Sequence, residues 1–189
     1  TCPRTAKLII SQYGGPDGEL SASMRYLAQR YSMPVKSVGG LLTDIGTEEL
    51  GHMEMICAMV YQLTKDLPMK EIKESGFDAY YIDHTTALWP QAAAGLPFSA
   101  IEFQSKGDAI TDLTENLAAE QKARTVYDNL LRAITDPEVR EPLKFLRARE
   151  IVHFQRFGEA LEKTKETLDA KTFYYFNPEY DKAMYHPVR

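Results

Sequence analysis

Two Glu-x-x-His motifs are the residues best suited to chemistry in this sequence: Glu49 with His52, and Glu150 with His153. On a helix, positions three apart share a face, so each motif directs a carboxylate and an imidazole at the same point. The chain has four histidines, and the other two lack a glutamate at this spacing. Carboxylate oxygen combined with imidazole nitrogen suits manganese or iron better than thiolate-preferring ions.

Two further glutamates complete a repeated pattern. Glu19 stands thirty residues before Glu49, and Glu120 stands thirty residues before Glu150. In each half, both glutamates are about equally far from the predicted turn between their helices, at ~20 Å for a rise of ~1.5 Å per residue. Four carboxylates and two imidazoles are therefore predicted to meet at one level of a helical bundle.

Such a cluster could not be buried without cations, because several unpaired carboxylates in a protein core cost many kcal/mol. Two divalent or trivalent ions would neutralise it, which predicts the dinuclear carboxylate site that helical bundles build from facing helices. The alternative interpretation is that the glutamates lie on solvated surfaces and that the histidines are incidental.

The elements that must position these residues are helices. Asp108 and the Asp136-Pro137 pair are typical helix starts, and Ser32 followed by Pro34 indicates another. Strand-like alternation of useful length is missing from the sequence. We predict an all-α fold, a four-helix bundle with one long crossover between helices two and three, formed as a single domain over residues 1–189. The predicted helices span about 18–32, 34–66, 108–134 and 137–167, with a crossover at 67–107 and an irregular tail at 168–189.

Composition excludes several classes of protein. The 189 residues are 44% hydrophobic and 26% charged, as expected for one globular domain. A net charge of −5 gives no general attraction to nucleic acid. No apolar run approaches the ~20 residues needed to span a bilayer, so we expect no membrane association. No signal-peptide pattern is seen at the N-terminus, and we expect cytoplasmic synthesis.

The sequence resembles the manganese catalases, most closely the shorter spore-coat branch of that family. Four stretches carry the resemblance: QYGGPDGELSASMRYLAQRY, LLTDIGTEELGHMEMI, KGDAITDLTENLAAEQKAR and FLRAREIVHFQRF. The resemblance implies a ferritin-like bundle that binds two manganese ions, with iron as an alternative metal. It also implies that hydrogen peroxide is the substrate and is converted to water and dioxygen.

Residue roles follow from the resemblance by position. It implies metal ligation by Glu19, Glu49, His52, Glu120 and His153. Glu49 would bridge both metals, whereas Glu150 would act in catalysis next to the ligands, although the equivalent carboxylate is itself a ligand in related di-iron proteins. Tyr26 follows Glu19 by seven residues and matches a family tyrosine that hydrogen-bonds a ligand carboxylate. Tyr127 follows Glu120 at the same spacing, with less support from the family.

Two other functions stay open at this point. One is a di-iron peroxidase or oxidase of the rubrerythrin or ferritin type, although the sequence has no Cys-x-x-Cys electron relay. The other is a structural coat protein with a stabilising metal site. The family resemblance implies a homo-oligomer, a hexamer in particular, and a location in a bacterial spore coat with other coat proteins as partners.

Overall fold

The structure is a computed structural model that describes residues 1–81, 87–102 and 104–169. Helices dominate these residues, and the remaining regular structure is two isolated bridges in the crossover, which join Tyr81 to Leu88 and Gln91 to Pro97. This finding confirms the prediction of an all-α fold. The helices are α1 (Pro3–Ile9), α2 (Ser11–Gly14), α3 (Glu19–Gln29), α4 (Lys36–Thr64), α5 (Met69–Ser75), α6 (Ala109–Ala133) and α7 (Pro137–Leu168).

Four of these helices form a bundle. Helices α3 and α4 pack as one hairpin and α6 and α7 as a second, and the hairpins meet through α3 with α6 and α4 with α7. The predicted first helix, 18–32, is split, because a short 3-10 turn at Arg30–Ser32 follows α3. The crossover connects α4 to α6 and contains α5, which ends at Gly76 in the left-handed conformation that favours glycine.

The starts of α6 and α7 agree with their sequence signals. The Asp108 side chain accepts a hydrogen bond of 2.8 Å from the Thr111 amide, and the Asp136 side chain accepts one of 3.0 Å from the Glu138 amide. Both bonds satisfy amide groups that lack a partner in the first helical turn. Pro137 occupies a position where a helix needs no amide donor.

The expected cap at Ser32 is wrong. Helix α4 begins at Lys36, and the Ser32 hydroxyl instead donates to the Gln29 carbonyl at 2.9 Å. Met33 is extended, as a residue before a proline usually is, and Val35 is extended too. The helical path therefore resumes only after Val35.

Helices α1 and α2 were not predicted from the sequence. They are too short to be stable alone, and packing accounts for them. Ala6, Ile9 and Ile10 are fully buried, and the Cys2 amide donates to the Leu63 carbonyl at the end of α4 at 2.9 Å. These contacts place the N-terminal segment against the bundle just before Glu19.

Two apolar layers fill the bundle, one toward each end. The first lies toward α1 and α5 and includes Ile56, Tyr127 and Leu146. The second lies toward the other end and includes Tyr26, Leu42 and Phe157. Along α7, Leu146 belongs to the first layer and Phe157 to the second, so the residues between them lie at a level enclosed by hydrophobic side chains on both sides.

Within the three described stretches, no helix has the length and apolar character required to cross a membrane. The predicted tail, 168–189, overlaps the structure only at the end of α7. Residues 170–189 lie outside the described residues.

Candidate dinuclear metal centre

The structure brings the predicted site residues together at the level between the two apolar layers. One glutamate comes from α3 and one from α6, and a Glu-x-x-His pair comes from each of α4 and α7. Each of these residues is at most 3% exposed. They are Glu19, Glu49, His52, Glu120, Glu150 and His153.

Their ligand atoms form two overlapping groups, each with all its atoms within 4.8 Å of one another. The first group is Glu19, Glu49, His52 and Glu150, and the second is Glu49, Glu120, Glu150 and His153. Because Glu49 and Glu150 belong to both groups, the geometry can hold two ions side by side that share carboxylates. Helix spacing explains this, because each Glu-x-x-His pair presents both side chains on one face.

Glu49 lies between the two imidazole rings. Its Oε2 is 2.6 Å from His52 Nδ1, and its Oε1 is 2.9 Å from His153 Nδ1. The same ring nitrogens are each 3.7 Å from the lone glutamate of their own hairpin, His52 from Glu19 and His153 from Glu120. Each hairpin thus provides a carboxylate and an imidazole on its own side of a shared central carboxylate.

The charges around Glu49 shift its pKa and those of both histidines. Burial raises the pKa of Glu49, but its close contacts with the His153 and His52 imidazoles outweigh this effect and lower the pKa to about 2. Burial lowers the pKa of each imidazole, but contacts with Glu19 and Glu49 raise that of His52 to about 10. Contacts with Glu120 and Glu49 raise the pKa of His153 to about 11. Without metal, an ionised Glu49 is therefore paired with two imidazolium rings.

The other three carboxyl groups shift in the opposite direction. Burial and the charge of Glu49 raise the pKa of Glu19 to about 8. Burial also raises the pKa of Glu120. The pKa of Glu150 lies well above its ordinary range, because the group is buried and faces the charges of Glu19, Glu120 and Glu49. Glu49 and Glu150 hold equivalent positions in their motifs but favour opposite protonation states.

Two buried tyrosines connect the hairpins through these carboxylates. The Tyr26 hydroxyl on α3 donates to Glu120 Oε1 on α6 at 2.5 Å, and the Tyr127 hydroxyl on α6 donates to Glu19 Oε1 on α3. Burial and then the charge of the acceptor raise the pKa of each phenol well above its ordinary value. Both tyrosines therefore remain protonated donors and fix one oxygen of each carboxylate.

Several ligand atoms have no hydrogen-bond partner among the described residues. They are Glu120 Oε2 and Glu150 Oε1, together with Glu49 Oε1 and both ring nitrogens of His153, which have ion-pair contacts but no well-directed hydrogen bond. Buried polar atoms left in this state are costly unless something neutralises and coordinates them. Oxygen and imidazole donors are the ligands that manganese and iron accept. The residues present therefore fit a pair of such ions.

A narrow cavity of about 10 Å³ reaches the site between α3 and α6. That volume is close to the minimum that one water molecule needs. Glu19, Tyr26 and Glu150 face it from the site. Its remaining walls are mostly small residues, among them Gly18, Ala22, Ala119 and Ala123.

Two candidate functional residues were not predicted from the sequence. They are Glu48 and Arg149. They form a two-point ion pair beside the histidines, with Arg149 Nε 2.5 Å from Glu48 Oε1 and Nη2 3.1 Å from Oε2. Burial raises the pKa of Glu48, but the Arg149 hydrogen bond and the contact with His153 bring it below its usual value. The signal was present in the sequence, because each residue immediately precedes the glutamate of a Glu-x-x-His motif, with opposite charges in the two motifs.

Comparison with known proteins agrees with this geometry. The model of the family described as manganese containing catalase matches residues 1–182. Protein CotJC of Bacillus subtilis is 53% identical over 175 residues, which cover 92% of each chain. A probable manganese catalase of Clostridium acetobutylicum is 36% identical over 90% of this chain and 76% of its own. The crystal structure of KatB, a manganese catalase from Anabaena, aligns with a TM-score of 0.81 at 30% identity over 91% of this chain and 77% of that chain. The chain belongs to the family of manganese-containing catalases, as the resemblance in its sequence predicted.

Proposed function

We propose that this protein is a dimanganese catalase that converts two molecules of hydrogen peroxide into two of water and one of dioxygen. The observation that carries the proposal is the pair of overlapping ligand groups that share Glu49 and Glu150 at one buried level. Membership of the manganese catalase family supports the choice of metal and substrate.

Five residues would hold the metal pair: Glu19, Glu49, His52, Glu120 and His153. Glu49 lies between the other four and would bridge both ions. When bound, a pair of adjacent manganese ions would supply the two-electron redox chemistry that the disproportionation of hydrogen peroxide requires. The chain itself provides a fixed set of donors in a core closed by apolar side chains.

Tyr26 and Tyr127 would act as positioning residues. Each donates to one oxygen of a ligand carboxylate from the opposite hairpin. Because one oxygen is held, the second oxygen of each carboxylate is oriented toward the site, and Glu120 Oε2 has no hydrogen-bond partner in the described chain. A fixed carboxylate costs less to organise when an ion binds.

Glu150 would take and return protons. Burial and the charges of neighbouring carboxylates raise its pKa well above the usual value, its Oε1 has no hydrogen-bond partner among the described residues, and it faces the narrow cavity. The breakdown of peroxide to water and dioxygen moves protons between oxygens, and a carboxyl group whose pKa is raised from its ordinary value is suited to this transfer. Direct ligation by Glu150 is the competing role, because its oxygen also fits both ligand groups.

The proposal extends to assembly and location. The resemblance to the spore-coat branch and 53% identity to Protein CotJC support a homo-oligomer, a hexamer in particular, located in a bacterial spore coat. Light scattering on the purified protein measures the oligomer. Recovery of a tagged chain from the coat fraction of a sporulating host, rather than from the mother-cell lysate alone, tests the location.

Oxygen evolution tests the enzymatic proposal. Manganese-loaded protein should release dioxygen from hydrogen peroxide in an oxygen-electrode cell without an electron donor, and metal-stripped protein should not. The same donor set accepts iron, so an iron-loaded sample should be assayed in parallel with and without a reductant. Peroxide consumption only with iron and a reductant would identify a di-iron peroxidase instead. Verified metal-loaded protein with no activity in any of these assays would leave the structural coat protein.

A further inference from the structure

Glu48 faces the ring nitrogen Nε2 of both candidate histidine ligands, the nitrogen that points away from Glu49. Its Oε1 lies 3.4 Å from His52 Nε2, and its Oε2 lies 3.3 Å from His153 Nε2. The inner nitrogens, Nδ1, face Glu49 at 2.6 and 2.9 Å. Each imidazole thus lies between Glu49 on the metal side and Glu48 on the other side. The two rings stack with centroids 5.7 Å apart, which lets one carboxylate reach both.

Arg149 on α7 holds Glu48 on α4 in this position. The guanidinium contacts both carboxylate oxygens, Nε to Oε1 at 2.5 Å and Nη2 to Oε2 at 3.1 Å. Such two-point pairs fix the orientation of a carboxylate as well as its place. Each Glu48 oxygen therefore faces one guanidinium nitrogen and one imidazole nitrogen. The pair is electrically neutral, so it adds no net charge beside an acidic centre.

This arrangement bears on which ring nitrogen can bind a metal. A neutral imidazole carries its proton on one nitrogen and its lone pair on the other. A carboxylate acceptor next to Nε2 favours the proton there and leaves the Nδ1 lone pair free. In both rings Nδ1 is the atom that faces the shared Glu49. We propose that Glu48, held by Arg149, is a single positioning residue that sets the tautomer and ring orientation of both histidines for metal binding.

Manganese affinity tests this inference, which rests on the metal site of the proposed function. Apparent affinity for Mn²⁺ would be measured by competition with a chelator of known strength on the full-length protein. Glu48→Ala should weaken binding about 10- to 100-fold, the usual effect of removing a residue that orients a metal ligand from behind. Glu48→Gln should lose less than Glu48→Ala, because its amide oxygen can still accept from one ring.

Glu54 provides a matched control. It lies on α4 like Glu48 but is exposed, so Glu54→Gln removes the same charge from the same helix away from the histidines. Thermal melting of each metal-free variant verifies folding. If Glu48→Ala does not fold, Arg149→Gln keeps the carboxylate and removes only its support, and a several-fold loss of Mn²⁺ affinity is expected.

The double variant distinguishes positioning from general destabilisation. Because Arg149 acts through Glu48, Glu48→Ala with Arg149→Gln should bind Mn²⁺ no more weakly than Glu48→Ala alone. The inference is overturned if Glu48→Ala binds Mn²⁺ within twofold of Glu54→Gln, or if the two losses simply multiply. Failure of the wild-type protein to bind Mn²⁺ at all would instead remove the proposed function.

Discussion

The two hairpins of the bundle carry the same site residues and use them differently. Each residue of the second set lies 101 positions after its counterpart in the first, and the order along the helices is identical. The tyrosine contacts repeat as well. In each hairpin one tyrosine donates a hydrogen bond to the glutamate of the other hairpin that lies outside its Glu-x-x-His motif. The matched pairs are Glu19 with Glu120, Tyr26 with Tyr127, Glu49 with Glu150 and His52 with His153.

The equivalence ends at the two motif glutamates. Both inner imidazole nitrogens lie within 2.9 Å of Glu49, whereas the charges that act on Glu150 are those of other carboxylates, Glu19, Glu120 and Glu49. The pKa of Glu49 is lowered to about 2, and that of Glu150 is raised well above its usual value. A Glu-x-x-His motif therefore brings a carboxylate to the site, but its neighbours decide whether that carboxylate is ionised.

The largest effect is expected for Glu49→Gln. The substitution removes the central charge and leaves two buried imidazolium rings without their partner, a change that typically costs ~3–5 kcal/mol. An equal loss of binding free energy for Mn²⁺ corresponds to an affinity weaker by about 10²- to 10⁴-fold. Elemental analysis after gel filtration should find little manganese, and oxygen evolution should be lost. Normal metal content in this variant would contradict a central role for Glu49.

Glu150→Gln should separate metal binding from catalysis. The amide cannot exchange a proton as a carboxyl group does, so oxygen evolution should fall by roughly 10²- to 10⁴-fold, the usual contribution of a general acid or base. Manganese content should stay near the wild-type value. Loss of metal to the extent seen in Glu49→Gln would show that Glu150 is itself a ligand and that the hairpins are more equivalent than we propose.

Tyr26→Phe and Tyr127→Phe test the part of the comparison in which the two hairpins are equivalent. Each removes one buried hydrogen bond to a carboxylate, a loss of about 1.5–3 kcal/mol in the free energy of unfolding. Because the two contacts are equivalent, the decreases in melting temperature should be similar. Thermal denaturation of the Mn-loaded protein measures them, and an effect confined to one variant would show that the tyrosines have different roles.

Raising the pH should widen the gap in melting temperature between manganese-loaded and metal-free protein. In metal-free protein, stabilisation by the two imidazolium rings is complete below their unfolded pKa and is lost as pH rises toward about 10 for His52 and about 11 for His153. Stabilisation from neutral Glu19 is likewise lost as pH rises toward about 8.

Glu49 behaves oppositely, because its lowered pKa gives stabilisation that is lost only in acid, as pH falls toward about 2. Between about pH 6 and about pH 8 the metal-free melting temperature should therefore fall. Metal binding displaces protons and strengthens over the same range. Scanning calorimetry at fixed free Mn²⁺ measures both curves, and a gap that narrows with pH would contradict the assignment.

Sequence was sufficient to predict the four bundle helices, apart from the start of α4, because their signals are local. Asp108 and Asp136 cap helices as their types predict, and the thirty-residue spacing of the glutamates fixes their level in the bundle. Short helices such as Pro3–Ile9 have no such signal, because their stability comes from packing against distant residues.

The finer contacts of the site could not be predicted for the same reason. Tyr26 was expected near a ligand, but its acceptor, Glu120, belongs to the other hairpin. The pairing of Glu48 with Arg149 depends on how α4 and α7 are rotated relative to each other. Periodicity places a residue on a helix face, whereas the partner across the interface depends on how two helices dock.

The hydrogen bonds that Tyr26 and Tyr127 make between the two hairpins also limit when the metal centre can form during synthesis of the chain. Their partners are 94 and 108 residues away along the chain, and each of the two ligand groups includes Glu150 on α7. While the ribosome has delivered only the first hairpin, Glu19 lacks the phenol that holds it, and Glu120 and His153 are absent from the proposed ligand set. The dinuclear centre can therefore be completed only after the second hairpin has emerged and docked, so the last bundle helix to be made completes the centre.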